Sequence, residues 1–184
     1  MTNRPFDPLH LPVEAFTQAG GELEGNWPIA ELPRLAEATH AEAKPDASDA
    51  VAWRLRGESR AARGGTRQTW LHLDARCALS LVCQRCLGPV AADVHAQRSF
   101  LFAADEAAAT ALDAEVEEDV LVLTRSLDAR ELVEDELLLA LPLVPRHEVC
   151  PDPLPLPASD EAAGEERPNP FAALSALKNG RSRT

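Results

Sequence analysis

The chain has 184 residues, 45% of them hydrophobic, and a formal net charge of −12. That length suits one domain with some chain left for tails, and the acidity excludes indiscriminate binding to nucleic acid. Nothing near the N-terminus ("MTNRPFDPLHLPVEAF") has the apolar run of a signal peptide, and no segment approaches the ~20 apolar residues that span a bilayer.

The expectation is therefore a soluble, cytoplasmic protein with no membrane partner. Its four cysteines read there as thiols or metal ligands, not as a disulfide framework. Residues 1–48 alternate proline breaks with short amphipathic pieces such as "PIAELPRLAEA", which predicts an irregular region with one or two short helices. At "VAWRLRG" the period changes to two: Val51, Trp53 and Leu55 alternate with Ala52, Arg54 and Arg56. A Gly-rich link, "ESRAARGGT", follows.

The clearest pattern comes next. Leu71, Leu73, Ala75, Cys77, Leu79, Leu81 and Cys83 fall on odd positions, while His72, Asp74, Arg76 and Ser80 take even ones. This predicts a long half-buried strand. Beyond "LGP", Val90, Ala92, Val94, Ala96, Phe100 and Phe102 alternate with Asp93, His95, Gln97 and Ser99, which predicts its hairpin partner. For the apolar faces to coincide, odd residues must oppose even ones. Pairing about the Cys83–Pro89 turn places His72 opposite position 101, so His72 and His95 form no dyad.

Residues 51–100 hold eight arginines against Glu58, Asp74 and Asp93, a net charge of +5 that leaves −17 elsewhere. Either these arginines are scattered on a solvated sheet or they form a local RNA-binding surface. The candidates for the second reading are Arg54, Arg56, Arg76, Arg85 and Arg98. Arg98 fits least well, because its position follows the apolar set. Trp70 shares the parity of His72 and is either a stacking platform for bases or covered by the N-terminal region.

Residues 105–119 carry acids and no base, which predicts a mobile acidic loop. "VLVL" (120–123) reads as a short strand, and "SLDARELVEDELLLALP" as a helix. Asp128 and Glu131 form its capping pair, and Pro142 stops it. Leu132, Val133, Leu137, Ala140 and Leu141 are assigned to its core face, and Glu131, Glu134 and Asp135 to water. "PDPLPLPASDEAAGEERPNP" is a Pro-rich acidic linker. The tail after it puts Phe171, Leu174 and Leu177 on one side of a short helix, to dock on its own domain or on a partner.

Two chelating pairs stand out: Cys83 with Cys86 at the hairpin turn, and His147 with Cys150 past the helix, in the pattern C-x2-C-x60-H-x2-C. Such a set suits a closed, structural Cys3His zinc site. The alternatives are reduced thiols beside an unrelated histidine, or a redox pair. A redox pair would normally sit at a helix N-terminus, not in a β-turn. Cys77, among leucines, reads as core. No P-loop, G-x-G-x-x-G, G-x-S-x-G or H-E-x-x-H occurs, and no cluster of acids suits a pair of catalytic metals. The chain therefore reads as no enzyme.

"LVCQRCLGPV" after a long strand, "LDARELVEDELLLALPLVPRHEVC" and a terminal "NPFAALSALK" together resemble the YceD family of large ribosomal RNA subunit accumulation proteins. The resemblance spans about residues 10–180. It implies a role in the synthesis, processing or stability of 23S ribosomal RNA, with assembly components, a ribosomal protein or a ribonuclease as partners. Motif positions carried over are Cys83, Arg85, Cys86 and Leu87, then Glu134, Asp135, Glu136, Pro142, His147 and Cys150. The last set is a partner motif of Asn169, Pro170, Phe171, Leu174, Leu177 and Lys178. The expected architecture is one α+β domain over residues 1–150, an antiparallel sheet packed by a helix. A flexible tail over 151–184 follows it. Its expected role is non-enzymatic; the rival is an adaptor that never touches RNA.

Overall fold

In the computed structural model, which describes residues 6–46, 48–61 and 67–152, an α+β fold is built on one five-stranded sheet. Strands β1 (Glu22–Pro28), β2 (Ala50–Ala61), β3 (Arg67–Val82) and β4 (Pro89–Ala103) run antiparallel in succession. Strand β5 (Asp119–Val122) lies parallel to β4 at the far edge, so the sheet is mixed. Helices α1 (Val13–Gln18) and α4 (Ala129–Leu139) pack on its inner face, and α2 (Pro33–Glu37) packs on α4.

Alternation along the strands creates the core. From Leu71 to Cys83 every odd residue is buried, facing Phe100, Ala96, Val94, Ala92 and Val90 across β4. Each leucine so buried is worth about 1.5–3 kcal/mol of transfer free energy. The parity expected for the hairpin holds, but the pairing is offset: His72 opposes Ser99, not residue 101. A slip of two residues keeps every side chain on its face, so alternation alone cannot detect it. Phe16 of α1 is fully buried because Gly57 of β2 lets it approach. A Cβ there would stand 2.8 Å from Phe16 Cδ1 and 2.9 Å from Thr17 Cα.

Several expectations need correction. The N-terminal region contributes a strand as well as short helices, since β1 pairs residue by residue with β2. The supposed acidic loop contains α3 (Glu106–Asp113), capped by Asp105, whose carboxylate accepts from Ala108 N. This helix packs on β4 and β5. The predicted link after β2 is shorter, because β2 runs to Ala61 and β3 starts at Arg67. Of the expected capping pair, the Asp128 half forms: its carboxylate accepts from the Arg130 and Glu131 amides.

The acidic face of α4 is solvated only in part: Glu131 is exposed, as expected, but Glu134 is not. Glu134 is buried and accepts from the amides of Arg34 (2.7 Å) and Leu35 (3.1 Å), at the start of α2. The Arg34 guanidinium reaches the same carboxylate and Asp135. Glu136, also buried, pairs with Arg98 at 3.2 Å. Burial raises the Glu136 pKa, and the Arg98 charge only partly opposes that rise.

Candidate metal centre and open sheet face

The turn joining β3 to β4 is a tight knuckle. Leu87 N donates to Cys83 O at 2.9 Å, and Cys83 N donates to Gly88 O at 2.9 Å. Leu87 takes φ 60°, the left-handed region that normally favours glycine. Its carbonyl is held by His40 Nε2 at 3.0 Å. A second segment, leaving α4, is bound beside it through Gln84 N to Pro145 O at 2.8 Å.

That docking brings Cys83, Cys86, His147 and Cys150 together, with all four donor atoms within 4.8 Å of one another. Cys83 Sγ and Cys150 Sγ lie 3.9 Å apart, and Cys86 Sγ lies 3.5 Å from His147 Nδ1. A tetrahedron built on ~2.3 Å Zn–S bonds has edges of about 3.8 Å, so these separations fit. All four cysteines are free thiols.

The surrounding contacts fit a metal too. His147 Nε2 lies 3.0 Å from Pro89 O. Because the carbonyl only accepts, the proton sits on Nε2 and the Nδ1 lone pair faces the cysteines, as a metal-ligating histidine requires. Burial would push the Cys83 thiol up, but the backbone N–H groups of Cys86, Arg85 and His147 hold it well below its ordinary value. Thiolates are the form that binds metal. Cys77 stands apart on the buried strand face, where burial pushes its thiol up to about 11.

The arginines divide. Arg54, Arg56 and Arg76 lie on the open face, each at the polar parity of its strand. Acids are interleaved with them: Arg54 pairs with Glu24 at 2.8 Å, and Arg56 with Glu58 at 3.6 Å. A groove of about 520 Å³ on this face is lined by Glu24, Arg54, Asp74 and Arg76, two residues of each sign. Arg98 is not on this face. It opposes Leu73 in regular register and turns to Glu136. Arg85 is engaged at the cysteine cluster.

Trp70 is no stacking platform. Only 5% exposed, it carries the Arg60 guanidinium over its ring at 4.9 Å and donates from Nε1 to Gln68 at 3.3 Å. The partner-motif residues Asn169, Pro170, Phe171, Leu174, Leu177 and Lys178 lie outside the described residues, as does the linker beyond Asp152.

One arrangement had no signal in the sequence. His72 lies 2.8 Å from Ser99 Oγ through Nδ1 and 3.1 Å from Glu58 through Nε2. The partners come from three strands, and only the true register brings them together. Hydrogen bonds from Arg60 and His72 outweigh burial and lower Glu58 to about 2. The order resembles nucleophile, base and orienting carboxylate. Backbone N–H groups here lie in the plane of the sheet and point at neighbouring strands, so they supply no oxyanion hole above Ser99. His95 pairs separately with Asp74 at 3.2 Å.

Sheet, knuckle and capped helix together define a small α+β domain with a Cys3His cluster at one end. The model of the family described as "Large ribosomal RNA subunit accumulation protein YceD" matches residues 71–178, and the chain belongs to that family. Its description places the chain among factors for large-subunit ribosomal RNA accumulation, and so in ribosome biogenesis. No solved structure matches the chain. Among the described residues no helix is long and apolar enough to cross a membrane.

Proposed function

We propose that this chain supports the accumulation of 23S ribosomal RNA as a non-catalytic, cytoplasmic factor acting through protein contacts. Its partners would be large-subunit assembly components, such as a ribosomal protein or a ribonuclease. One structural zinc ion, held by Cys83, Cys86, His147 and Cys150, would pin the hairpin tip to the segment after α4. With four protein ligands the ion has no open position, so it supplies folding energy and not reactivity.

The observation that carries the protein-contact reading is the charge pairing on the open face. An RNA-binding surface gains affinity from cations free to replace counterions at phosphates. Here Arg54 is already matched by Glu24, and Arg56 shares the Glu58 carboxylate with Arg60, within a chain of net charge −12. An acidic chain is electrostatically suited to basic protein partners and repelled by phosphate.

The test is made in cells lacking the gene, complemented with wild type, with Arg54→Glu plus Arg76→Glu, or with a chain truncated before residue 168. The ratio of 23S to 16S ribosomal RNA is read in each. The proposal expects the charge reversals to restore the ratio as wild type does, and the truncation to fail. Loss of the ratio in the reversal variant, with the truncated chain fully active, would assign the function to direct RNA contact instead.

A further inference from the structure

Arg85 is the second residue between the two cysteines of the knuckle, and its side chain reaches away from its own pair. Its Nε donates to Cys150 Sγ at 2.9 Å, and its Nη2 donates to the carbonyls of His147 and Glu148 at 3.0 and 3.1 Å. A single guanidinium from the first chelating pair thus grips the ligand sulfur and backbone of the second. Only a planar fork with several fixed donors does this; an ammonium is one compact charge and cannot span the same acceptors.

We propose that Arg85 is a positioning residue of the metal centre and not a nucleic-acid contact. The inference rests on the reading that the cluster holds zinc. Three thiolates and a neutral imidazole around a divalent ion leave one negative charge uncompensated, which the guanidinium offsets. Its hydrogen bond also draws electron density from the Cys150 sulfur, making that thiolate a poorer nucleophile and less open to oxidants and alkylating reagents. Its two bonds to backbone carbonyls hold the segment from residue 147 to 150 against the knuckle before metal arrives, so less order is lost on binding. Among the described residues, no other side chain outside the four ligands bonds a cluster sulfur.

The experiment uses the full chain as wild type, Arg85→Met and Arg85→Lys, each loaded with zinc, and a chromophoric chelator that competes for the ion. Arg85→Met is expected to bind zinc about 10–100-fold more weakly, the usual cost of losing an outer-shell partner. Arg85→Lys should fall between the two, because it restores charge without the fork. Cobalt-loaded Arg85→Met should keep the absorption of a tetrahedral site while its sulfur-to-cobalt charge-transfer bands shift. That pattern separates loss of positioning from collapse of the knuckle. Peptide mapping after iodoacetamide treatment of the zinc-loaded protein should show Cys150 modified several-fold faster in Arg85→Met.

Zinc affinity within two-fold of wild type, with unchanged Cys150 alkylation, would overturn the role given to Arg85. Lost RNA binding in Arg85→Met with metal affinity intact would overturn it in favour of an RNA contact. A wild-type chain that takes up neither zinc nor cobalt sinks the metal reading itself, a different result from either of these.

Discussion

Replacing Glu134 with alanine tests whether an acid on α4 is structural. Its carboxylate accepts from two amides at the start of α2, those of Arg34 at 2.7 Å and Leu35 at 3.1 Å. Its side chain is only 7% exposed, whereas Arg34 is 47% exposed and can turn back to water when the acid is removed. The cost therefore falls mainly on the two amides. Each buried donor left without a partner costs about 1–3 kcal/mol, and water entering the vacated space moderates this. A total of about 2–3 kcal/mol is expected. A domain of this size shifts its midpoint by about 2–4 °C per kcal/mol, so circular dichroism should record a Tm about 4–12 °C below wild type. Glu131→Ala, on the exposed side of the same helix, is the control and should stay within about 0.5 kcal/mol. If Glu134→Ala melts with wild type, the carboxylate does not hold α2 and the account of this helix pair is wrong.

Arg98→Met removes the charge that opposes burial at Glu136, so the carboxyl pKa rises further. A raised carboxyl pKa lends stability that is fully present below the unfolded value of about 4.3 and is lost as pH rises through the folded value. Urea midpoints of Arg98→Met should therefore trail wild type more at pH 8 than at pH 5; an equal deficit at both would contradict this. Gly57→Ala puts a methyl 2.8 Å from Phe16 Cδ1 and 2.9 Å from Thr17 Cα. Overpacking of that kind costs about 1–3 kcal/mol, read as a lower denaturant midpoint, and an unchanged midpoint would show that α1 shifts freely. Cys77, raised to about 11 by burial, should resist iodoacetamide in the native protein at pH 8. Cys77→Ala should leave metal content unchanged; a drop would place Cys77 among the ligands.

The hairpin was legible because its signal is local and repeated: seven alternating positions from Leu71 to Cys83 leave little choice of face. The exact register was not legible, since a two-residue slip changes no face, and the Ser99–His72–Glu58 contact was lost with it. β1 was overlooked because Gly25 and Pro28 interrupt the strand signature of "ELEGNWP". α3 was overlooked because its acids resemble a solvated run, although Asp105 is an ordinary N-cap. Glu134 and Asp135 were assigned to water because their shared partner, Arg34, lies 100 and 101 residues away. The four cluster residues were named from two short-spaced pairs. Arg85 was grouped with the basic segment, since nothing local announces that its side chain crosses to Cys150.

Cys83, Cys86, His147 and Cys150 are proposed to bind a single structural zinc ion. That proposal is tested most directly by native mass spectrometry and elemental analysis of the full chain purified without chelator. Wild type and Cys77→Ala should each carry one zinc per chain, and Cys83→Ser none. Stripping the ion should expose Cys83, Cys86 and Cys150 to alkylation together. Wild-type protein that is folded, free of metal and unresponsive to added zinc would contradict the proposal.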